Sequence, residues 1–209
     1  MSPIEHRILD AADACCARFG FSKVTIDDIV AESGVSRATI YRLFPGGRDV
    51  LFEAFRVREL EAFFDRLRAG IHDVDGGAET LEDVVVQAVV GATRELRDDA
   101  HLAAMMASEP GEALGQLTVA GLPRIVRMAT LTLTPFVTPF VSVAVGRRLI
   151  DVLSRLTISY FLAPSDEVDL GNADHARAFL RPMIAVLAGP VPAASPTTAP
   201  NPVPALELS

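Results

Sequence analysis

A helix, a tight turn and a second helix are predicted within residues 25–44. The first helix begins with a capping box at residues 25–28, Thr-Ile-Asp-Asp, and ends before Gly34. The second begins at Ser36 and must end before the Pro-Gly-Gly sequence at residues 45–47. Helices this short are unstable alone and depend on tertiary packing. The pattern therefore predicts a helix-turn-helix, in which the first helix supports a second that faces solvent.

The predicted second helix carries a polar outward face. Apolar residues spaced to pack the two helices together and onto a preceding helix are Ile26, Ile29, Val30, Val35, Ile40 and Phe44. Residues left on the outward side are Ser36, Arg37, Thr39, Tyr41 and Arg42. Arginine suits guanine or phosphate and hydroxyls suit phosphate oxygens, so this face is a candidate DNA-reading surface. As alternatives to DNA contact, Arg42 is a solvated surface residue and Tyr41 lies partly in the core.

The charge distribution allows a nucleic-acid partner despite a net charge of -8. Residues 1–48 contain six basic and six acidic residues, so the rest of the chain carries the whole net negative charge. Residues 33–48 contain three arginines and no acid, which makes them a small basic island. Arg48 opens a predicted helix, where a cation opposes the macrodipole. A DNA phosphate at that point would resolve the conflict.

The segment resembles the DNA-binding domain of the tetracycline-repressor (TetR) family of bacterial regulators. The resemblance covers about residues 4–55. The matching positions are Phe19-Gly20, Thr25, Ile29, Gly34-Val35-Ser36, Thr39-Ile40-Tyr41, Phe44 and a basic residue that opens the fourth helix. Two positions depart conservatively from the family, since Ser33 stands where Ala is usual and Arg48 where Lys is usual.

The resemblance implies a role for individual residues at the DNA. Residues expected at phosphates are Thr25, Thr39, Tyr41 and Arg48. Residues expected nearest the bases are Arg37, Ala38 and Arg42. The resemblance also implies a small-molecule pocket in the second half of the chain, and repression as the usual mode of action.

Beyond residue 47 the sequence predicts only helices. A fourth helix without Gly or Pro, residues 48–69, would span roughly 33 Å and could bridge two domains. A fifth helix is predicted to begin at Thr80, and a shorter one follows over residues 99–108. The next helical region ends at Thr134 and is interrupted at residues 121–123. The last two predicted helices run from Pro139 to Ala163 and from Asn172 to Leu187.

We therefore expect an all-α protein with two domains. Residues 1–47 form the helix-turn-helix domain, and residues 48–189 form a helical domain for ligand binding and dimerisation. Residues 190–209 contain six prolines and no aromatic residue, and we expect a disordered tail there.

The last two predicted helices are apolar on more than one face. A helix that packs only on its own core needs one apolar stripe, so the second stripe predicts a homodimer that closes as a four-helix bundle. The expected interface residues are Leu149, Val152, Leu156, Tyr160, Leu180, Met183 and Leu187. Such a dimer would place two recognition helices about one DNA turn apart, or somewhat more, on a palindromic site.

Methionine, threonine and phenylalanine residues in the middle of the chain suit an apolar pocket with a few hydrogen-bonding groups. An ordinary packed core is the alternative, and the resemblance favours the pocket. The candidate residues are Val86, Val90, Met105, Met106, Ile125, Met128, Thr132, Phe136 and Phe140. The expected effector is small and mainly apolar, such as an acyl or lactone compound. Arg124 and Arg127 either meet a polar group of this effector or lie at the surface.

Other classes of protein find no support in the sequence. Nucleophile motifs, metal-ligand spacing and phosphate-binding glycine loops are missing, so we expect no enzyme, catalytic residue, metal or cofactor. Cys15 and Cys16 are expected to be buried free thiols in a reducing cytoplasm. The uncharged residues 128–146 contain two prolines, which favours two buried helices over a membrane span. The remaining alternatives are a DNA-binding dimer without an effector and a helix-turn-helix pair without DNA function, since short helices also occur in ordinary helical bundles.

Overall fold

The computed structural model describes residues 1–72 and 79–189, which form ten helices. In chain order they are α1 (Pro3–Phe19), α2 (Ile26–Ser33), α3 (Arg37–Leu43), α4 (Arg48–His72), α5 (Leu81–Asp98), α6 (Ala100–Ser108), α7 (Pro110–Leu117), α8 (Leu122–Val137), α9 (Val143–Leu162) and α10 (Ala173–Ala188). These two ranges contain no strand, and the expected all-α fold is confirmed. The predicted tail, residues 190–209, lies outside the described residues.

Side-chain caps set the starts of α2 and α3. Thr25 forms a capping box with Asp28 at the start of α2. Gly34 then adopts a φ of 65°, a left-handed conformation that glycine takes without strain. The Ser36 hydroxyl accepts a hydrogen bond from the backbone N–H of Thr39 and so begins α3. The predicted helix-turn-helix is confirmed.

Two apolar cores share α4. The first core contains the fully buried Ile8, Ile29 and Ile40, one from each N-terminal helix, and Phe52 of α4 packs into it. The second core is built from α4, α5, α8, α9 and α10, and it includes Phe64 from further along α4. One continuous helix therefore belongs to both cores and connects them.

The end of α4 lies beyond the predicted one. The sequence predicts an end at Ala69, before Gly70, whereas the helix continues to His72. Ile71 is 4% exposed and packs in the second core. Burying an isoleucine contributes about 1.5–3 kcal/mol, which exceeds the cost of about 1 kcal/mol for a glycine inside a helix.

The turn between α8 and α9 also differs from the prediction. Residues 118–121 separate α7 from α8. The helix α8 then continues through Pro135 to Val137, beyond the predicted end at Thr134. Val137 is 3% exposed, so packing keeps the last turn helical beyond the proline. Ser142 caps α9, and Pro139, the predicted first helical residue, lies in the turn. Within the described ranges, no helix is both long and apolar enough to cross a membrane.

Ion pairs join α10 to α5. Arg177 donates to Glu82 at 2.8 Å and to Asp83 at 2.9 Å, and Arg181 donates to Glu82 at 2.9 Å. The pKa of Glu82 lies below its usual range because Arg181, and then Arg177, donates to its carboxylate. The pKa of Asp83 is lowered first by the hydroxyl of Thr80 and then by Arg177. Both carboxylates are therefore held in their charged form where the two helices meet.

Candidate functional site

The outer face of α3 is polar and open to solvent. Ile40 is fully buried beneath the helix and anchors it to the first core. Predicted DNA-facing residues that are exposed on the opposite side are Ser36, Arg37, Ala38, Tyr41 and Arg42, and Thr39 is half-buried. Arg37, Ala38, Tyr41 and Arg42 thus share the exposed side of one short helix, and Ser36 caps its start.

Thr25 and Ser36 are exposed and already serve as caps. The Thr25 hydroxyl donates to Asp28 at 2.6 Å, and this bond is the main reason that the pKa of Asp28 is lowered. The hydroxyl of Ser36 lies 3.0 Å from that of Thr39. A phosphate contact from Thr25 would therefore replace the hydrogen bond to Asp28.

The two arginines of α3 differ in their contacts. Arg37 donates to Asp27 at 2.6 Å, and the two side chains are 56% and 73% exposed. An exposed ion pair of this kind contributes at most about 1 kcal/mol, so a phosphate or a base can displace it. Arg42 is exposed, and no residue in the described part of the chain pairs with it. Both guanidinium groups are thus accessible to a partner.

The ring of Tyr41 packs over Gly47. A Cβ atom at Gly47 would stand 2.8 Å from Cε1 of the ring, and Gly47 has a φ of +68°. Glycine is needed on both counts, for the backbone conformation and for the close approach. Tyr41 remains 47% exposed, a pose that suits a contact with a DNA phosphate.

Arg48 faces the protein interior, which corrects its expected position at a phosphate. Its Nε donates to the carbonyl oxygen of Val24 at 2.8 Å, and its Nη2 donates to that of Phe21 at 2.6 Å. The guanidinium carbon lies 4.6 Å from the centre of the Phe52 ring. Carbonyl oxygens and an aromatic face balance this cation, so a phosphate is not required. Arg48 fastens α4 to the loop between α1 and α2.

A cavity of ≈ 230 Å³ lies between α4, α5, α8 and α9. Most of its walls are apolar, with Phe63 from α4 and Val85 and Val89 from α5 among them. Phe21 and Phe55, which belong to the first core, also line it. The cavity therefore touches both cores.

Only part of the predicted pocket lines this cavity. Met105 and Ile125 do, whereas α5 presents Val85 and Val89 in place of the predicted Val86 and Val90. Adjacent helical residues point about 100° apart, so a register error of one position selects a different side of the helix. Predicted residues that also lie outside the lining are Met106, Met128, Thr132, Phe136 and Phe140.

Sequence reasoning missed most of the cavity lining, to which α4, α5 and α9 contribute the largest shares. The missed residues on α4 are Phe55, Arg56, Glu59, Leu60, Phe63, Phe64 and Leu67. Their helical spacing predicts burial, but spacing does not distinguish the wall of a cavity from a packed core. Arg124 lines the cavity and pairs with Glu53 at 2.9 Å, whereas Arg127 is exposed.

Two predicted interface residues face the protomer's own core. Leu149 and Leu180 are fully buried there, so they cannot contact a second subunit. The other predicted residues are half-buried: Val152, Leu156, Tyr160, Met183 and Leu187. Val186 on α10 is 80% exposed. We call these five half-buried residues and Val186 the α9–α10 surface.

Comparisons with known sequences match part of the chain. Residues 8–55 match the family of bacterial regulatory proteins called tetR. An HTH-type transcriptional regulator of Mycobacterium bovis is 32% identical over 103 residues, which cover 49% of this chain and 50% of the relative. One from Mycobacterium tuberculosis is 31% identical with the same coverage. The chain thus spans about half the length of the curated relatives it matches, and the family is one of regulators, not enzymes.

Solved structures match over most of the chain. The TetR family repressor AlkX from a Dietzia strain, implicated in biodegradation of n-alkanes, has a TM-score of 0.64 at 23% identity and covers 90% of this chain and 98% of that one. A TetR-family transcriptional regulator from Streptomyces coelicolor has a TM-score of 0.53 at 22% identity, with coverages of 88% and 99%. At these identities the similarity concerns the fold.

Proposed function

We propose that this chain, which belongs to the tetR family of bacterial regulatory proteins, is a ligand-responsive repressor of transcription. It binds a palindromic operator as a homodimer in the bacterial cytoplasm, and it leaves the operator when a small, mainly apolar effector binds. Residues 1–47 bind DNA, and residues 48–189 bind the effector and the second subunit. The proposal rests mainly on one observation: α3 exposes a polar face to solvent, while Ile40 on its opposite side is fully buried.

In this proposal α3 enters the major groove. Arg37 and Arg42 read base edges, and Ala38 lies close to the bases. Hydroxyl groups that hold the phosphates belong to Thr25, Ser36, Thr39 and Tyr41. The accessibility of Arg42 and the weak, exposed pair between Arg37 and Asp27 support these roles.

Selection from a random duplex library tests DNA binding and yields the operator sequence in the same experiment. We expect enrichment of a palindrome whose half-sites lie about one helical turn apart, or somewhat more. The Arg42→Ala variant should bind the selected duplex less tightly. Arg68→Ala on α4, whose side chain is 55% exposed, serves as the control. A library that enriches no sequence contradicts the proposal.

The α9–α10 surface supports the homodimer. Its residues are apolar, and Val186 is 80% exposed. Closing this face against a second copy removes it from water and places two α3 helices in one assembly. Sedimentation of the full chain should therefore give the mass of a dimer.

The cavity supports an effector that acts through α4. Phe55 lines the cavity and also packs in the first core, so a ligand that moves α4 moves the DNA-binding domain with it. DNA tolerates a narrow range of distances between the two recognition helices. Coupling between such sites is typically about 1–3 kcal/mol, or roughly 5- to 150-fold in affinity, and is reciprocal. Ligands found by thermal shift should weaken operator binding, and tight ligands that leave it unchanged would argue against effector control.

A further inference from the structure

The cavity between α4, α5, α8 and α9, called the channel below, is lined by different kinds of residue at its two ends. On α4 its lining residues run from Phe55 to Leu67, which is about 18 Å along the helix. A volume of ≈ 230 Å³ over such a length leaves room for a slender molecule. Polar residues such as Arg56 and Gln116 line the end near the DNA-binding domain, and apolar ones such as Val137 line the other. The channel therefore suits a ligand with one polar end.

The polar end contains a hydrogen-bond donor without an acceptor. Nε of Arg56 is buried and has no partner within the described part of the chain. The rest of that guanidinium is fixed, since Nη2 pairs with Glu112 at 3.0 Å and the group lies 4.7 Å from the centre of the Phe21 ring. A buried donor left unpaired is destabilising, because it has lost its hydrogen bonds to water without gaining others. A ligand oxygen at this point would remove this destabilisation.

A second polar group reaches the channel from α9. Thr157 lines the cavity and is 5% exposed, and its hydroxyl bonds to no other described residue. A hydroxyl can both donate and accept, so it can hold the same ligand oxygen or its proton. Arg56 and Thr157 lie on different helices that line the channel.

The charges at this end disfavour an anionic ligand. Arg56 pairs with Glu112, and Arg124 pairs with Glu53 at 2.9 Å. Glu59 and Asp99 line the cavity as well. Each of the two arginines that line the cavity is thus already paired with a carboxylate, so neither offers an unpaired positive charge to an anionic ligand.

We propose that the effector is an unbranched apolar chain with one uncharged terminal oxygen, a hydroxyl or a carbonyl, that accepts a hydrogen bond from Nε of Arg56. This inference rests on the effector control proposed above and specifies the chemical class of the effector. The chain of the ligand occupies the channel towards Leu67, and Thr157 bonds to the oxygen from the other side.

Titration calorimetry of the full chain with octane, 1-octanol, octanal and octanoate at pH 7 tests the inference. Octanol and octanal should bind about tenfold or more tighter than octane, since a hydrogen bond to a charged donor contributes about 1.5–3 kcal/mol. Octanoate should bind more weakly than octanol. Equal binding of octane and octanol, tightest binding of octanoate, or binding of none of the four would each overturn it.

Variants locate the contact. Arg56→Lys keeps the positive charge beside Glu112 but removes Nε, and it should lower octanol affinity towards that of octane. Thr157→Val, of nearly the same shape, should lower it less, and it remains informative where Arg56→Lys unfolds. Arg66→Lys on the same helix, whose side chain is 53% exposed and pairs with Glu95, should change nothing. Octanol affinity that is unchanged in both cavity variants overturns the assignment.

Duplex selection separates this inference from the proposed function. A protein that enriches a palindrome but fails the ligand ranking keeps its DNA-binding role and loses the ligand class. A protein that passes the ranking but enriches no duplex keeps the ligand class, while the repressor role fails.

Discussion

Glu109, at the junction of α6 and α7, accepts hydrogen bonds from the backbone N–H of Ser22 at 3.0 and 3.2 Å. The hydroxyl of Ser22 donates to the same carboxylate. Ser22 lies in the loop between α1 and α2, whereas Leu102 of α6 and Leu117 of α7 line the cavity. The DNA-binding domain is therefore joined to the wall of the cavity by this contact as well as by α4.

Replacing Glu109 by Ala should weaken effector control. Without the contact to Ser22, a movement of α6 and α7 no longer reaches the loop before α2. The ratio of operator affinities without and with saturating effector should therefore fall in Glu109→Ala, as measured by fluorescence anisotropy. Glu79→Ala removes an exposed carboxylate at the start of α5 and serves as the control. An unchanged ratio in Glu109→Ala would show that the contact between Glu109 and Ser22 does not carry the coupling.

The same contact predicts a dependence of stability on pH. Hydrogen bonds from the Ser22 hydroxyl, and then from backbone N–H groups, hold the pKa of Glu109 below its ordinary value of 4.5. Because the folded-state pKa is lowered, the contact stabilises the protein above pH 4.5, and this contribution disappears as the pH falls through the lowered value. Thermal unfolding should therefore show a smaller loss of stability below pH 4.5 in Glu109→Ala than in the wild type. Parallel pH curves for the two proteins would contradict the prediction.

Local signals made the N-terminal helices predictable. Thr25 and Ser36 cap helices in the structure as their sequence positions predict, and Gly34 lies in the predicted tight turn between them. A cap involves residues within one turn of each other, so its signal is complete in a short segment of sequence. The exposed polar side of α3 could be inferred in the same way.

Features set by distant residues could not be predicted from the sequence. Packing of Ile71 and Val137 in the second core extends α4 and α8 beyond their predicted ends. The dipole of α4 alone predicts a phosphate beside Arg48, whereas the partners of Arg48 are the carbonyl groups of Phe21 and Val24 in an earlier loop. The lining of the cavity depends on the exact rotation of each helix, which an apolar periodicity fixes only roughly.

Substitution of Gly47 by Ala should move Tyr41. The new Cβ would stand 2.8 Å from the tyrosine ring, and the φ of +68° would be strained. Strain of this kind is of order 1–3 kcal/mol, so the unfolding midpoint should fall. Because Tyr41 is proposed to hold a phosphate, affinity should fall alike for the selected duplex and for unrelated DNA. In Gly111→Ala, which has open space around the new Cβ, both quantities should stay near those of the wild type.

Arg42 and Arg48 should respond in different assays. Arg42→Ala should cost about 1–3 kcal/mol of specific binding and relax the preference at one base pair, with the unfolding midpoint unchanged. Arg48→Ala removes two hydrogen bonds from a charged group to backbone carbonyls, so it should lower the free energy of unfolding by about 2–3 kcal/mol. Thermal denaturation and duplex selection measure the two effects. If Arg42→Ala lowers the unfolding midpoint and leaves the base preference unchanged, Arg42 has a structural role and does not read a base.

A single glutamate introduced into the α9–α10 surface should separate the subunits of the proposed dimer. In Leu156→Glu the new carboxylate lies on α9 within the proposed interface, where losing water without gaining a partner costs several kcal/mol. Sedimentation should show monomers, which present one recognition helix each and bind a palindrome weakly. Since Leu156 is half-buried and its replacement could disturb the protomer, Val186→Glu provides a second test at a side chain that is 80% exposed. Leu131→Glu on α8, at a residue 69% exposed, controls for the added charge and should remain dimeric. Stable dimers in both interface variants would place the interface elsewhere on the protein.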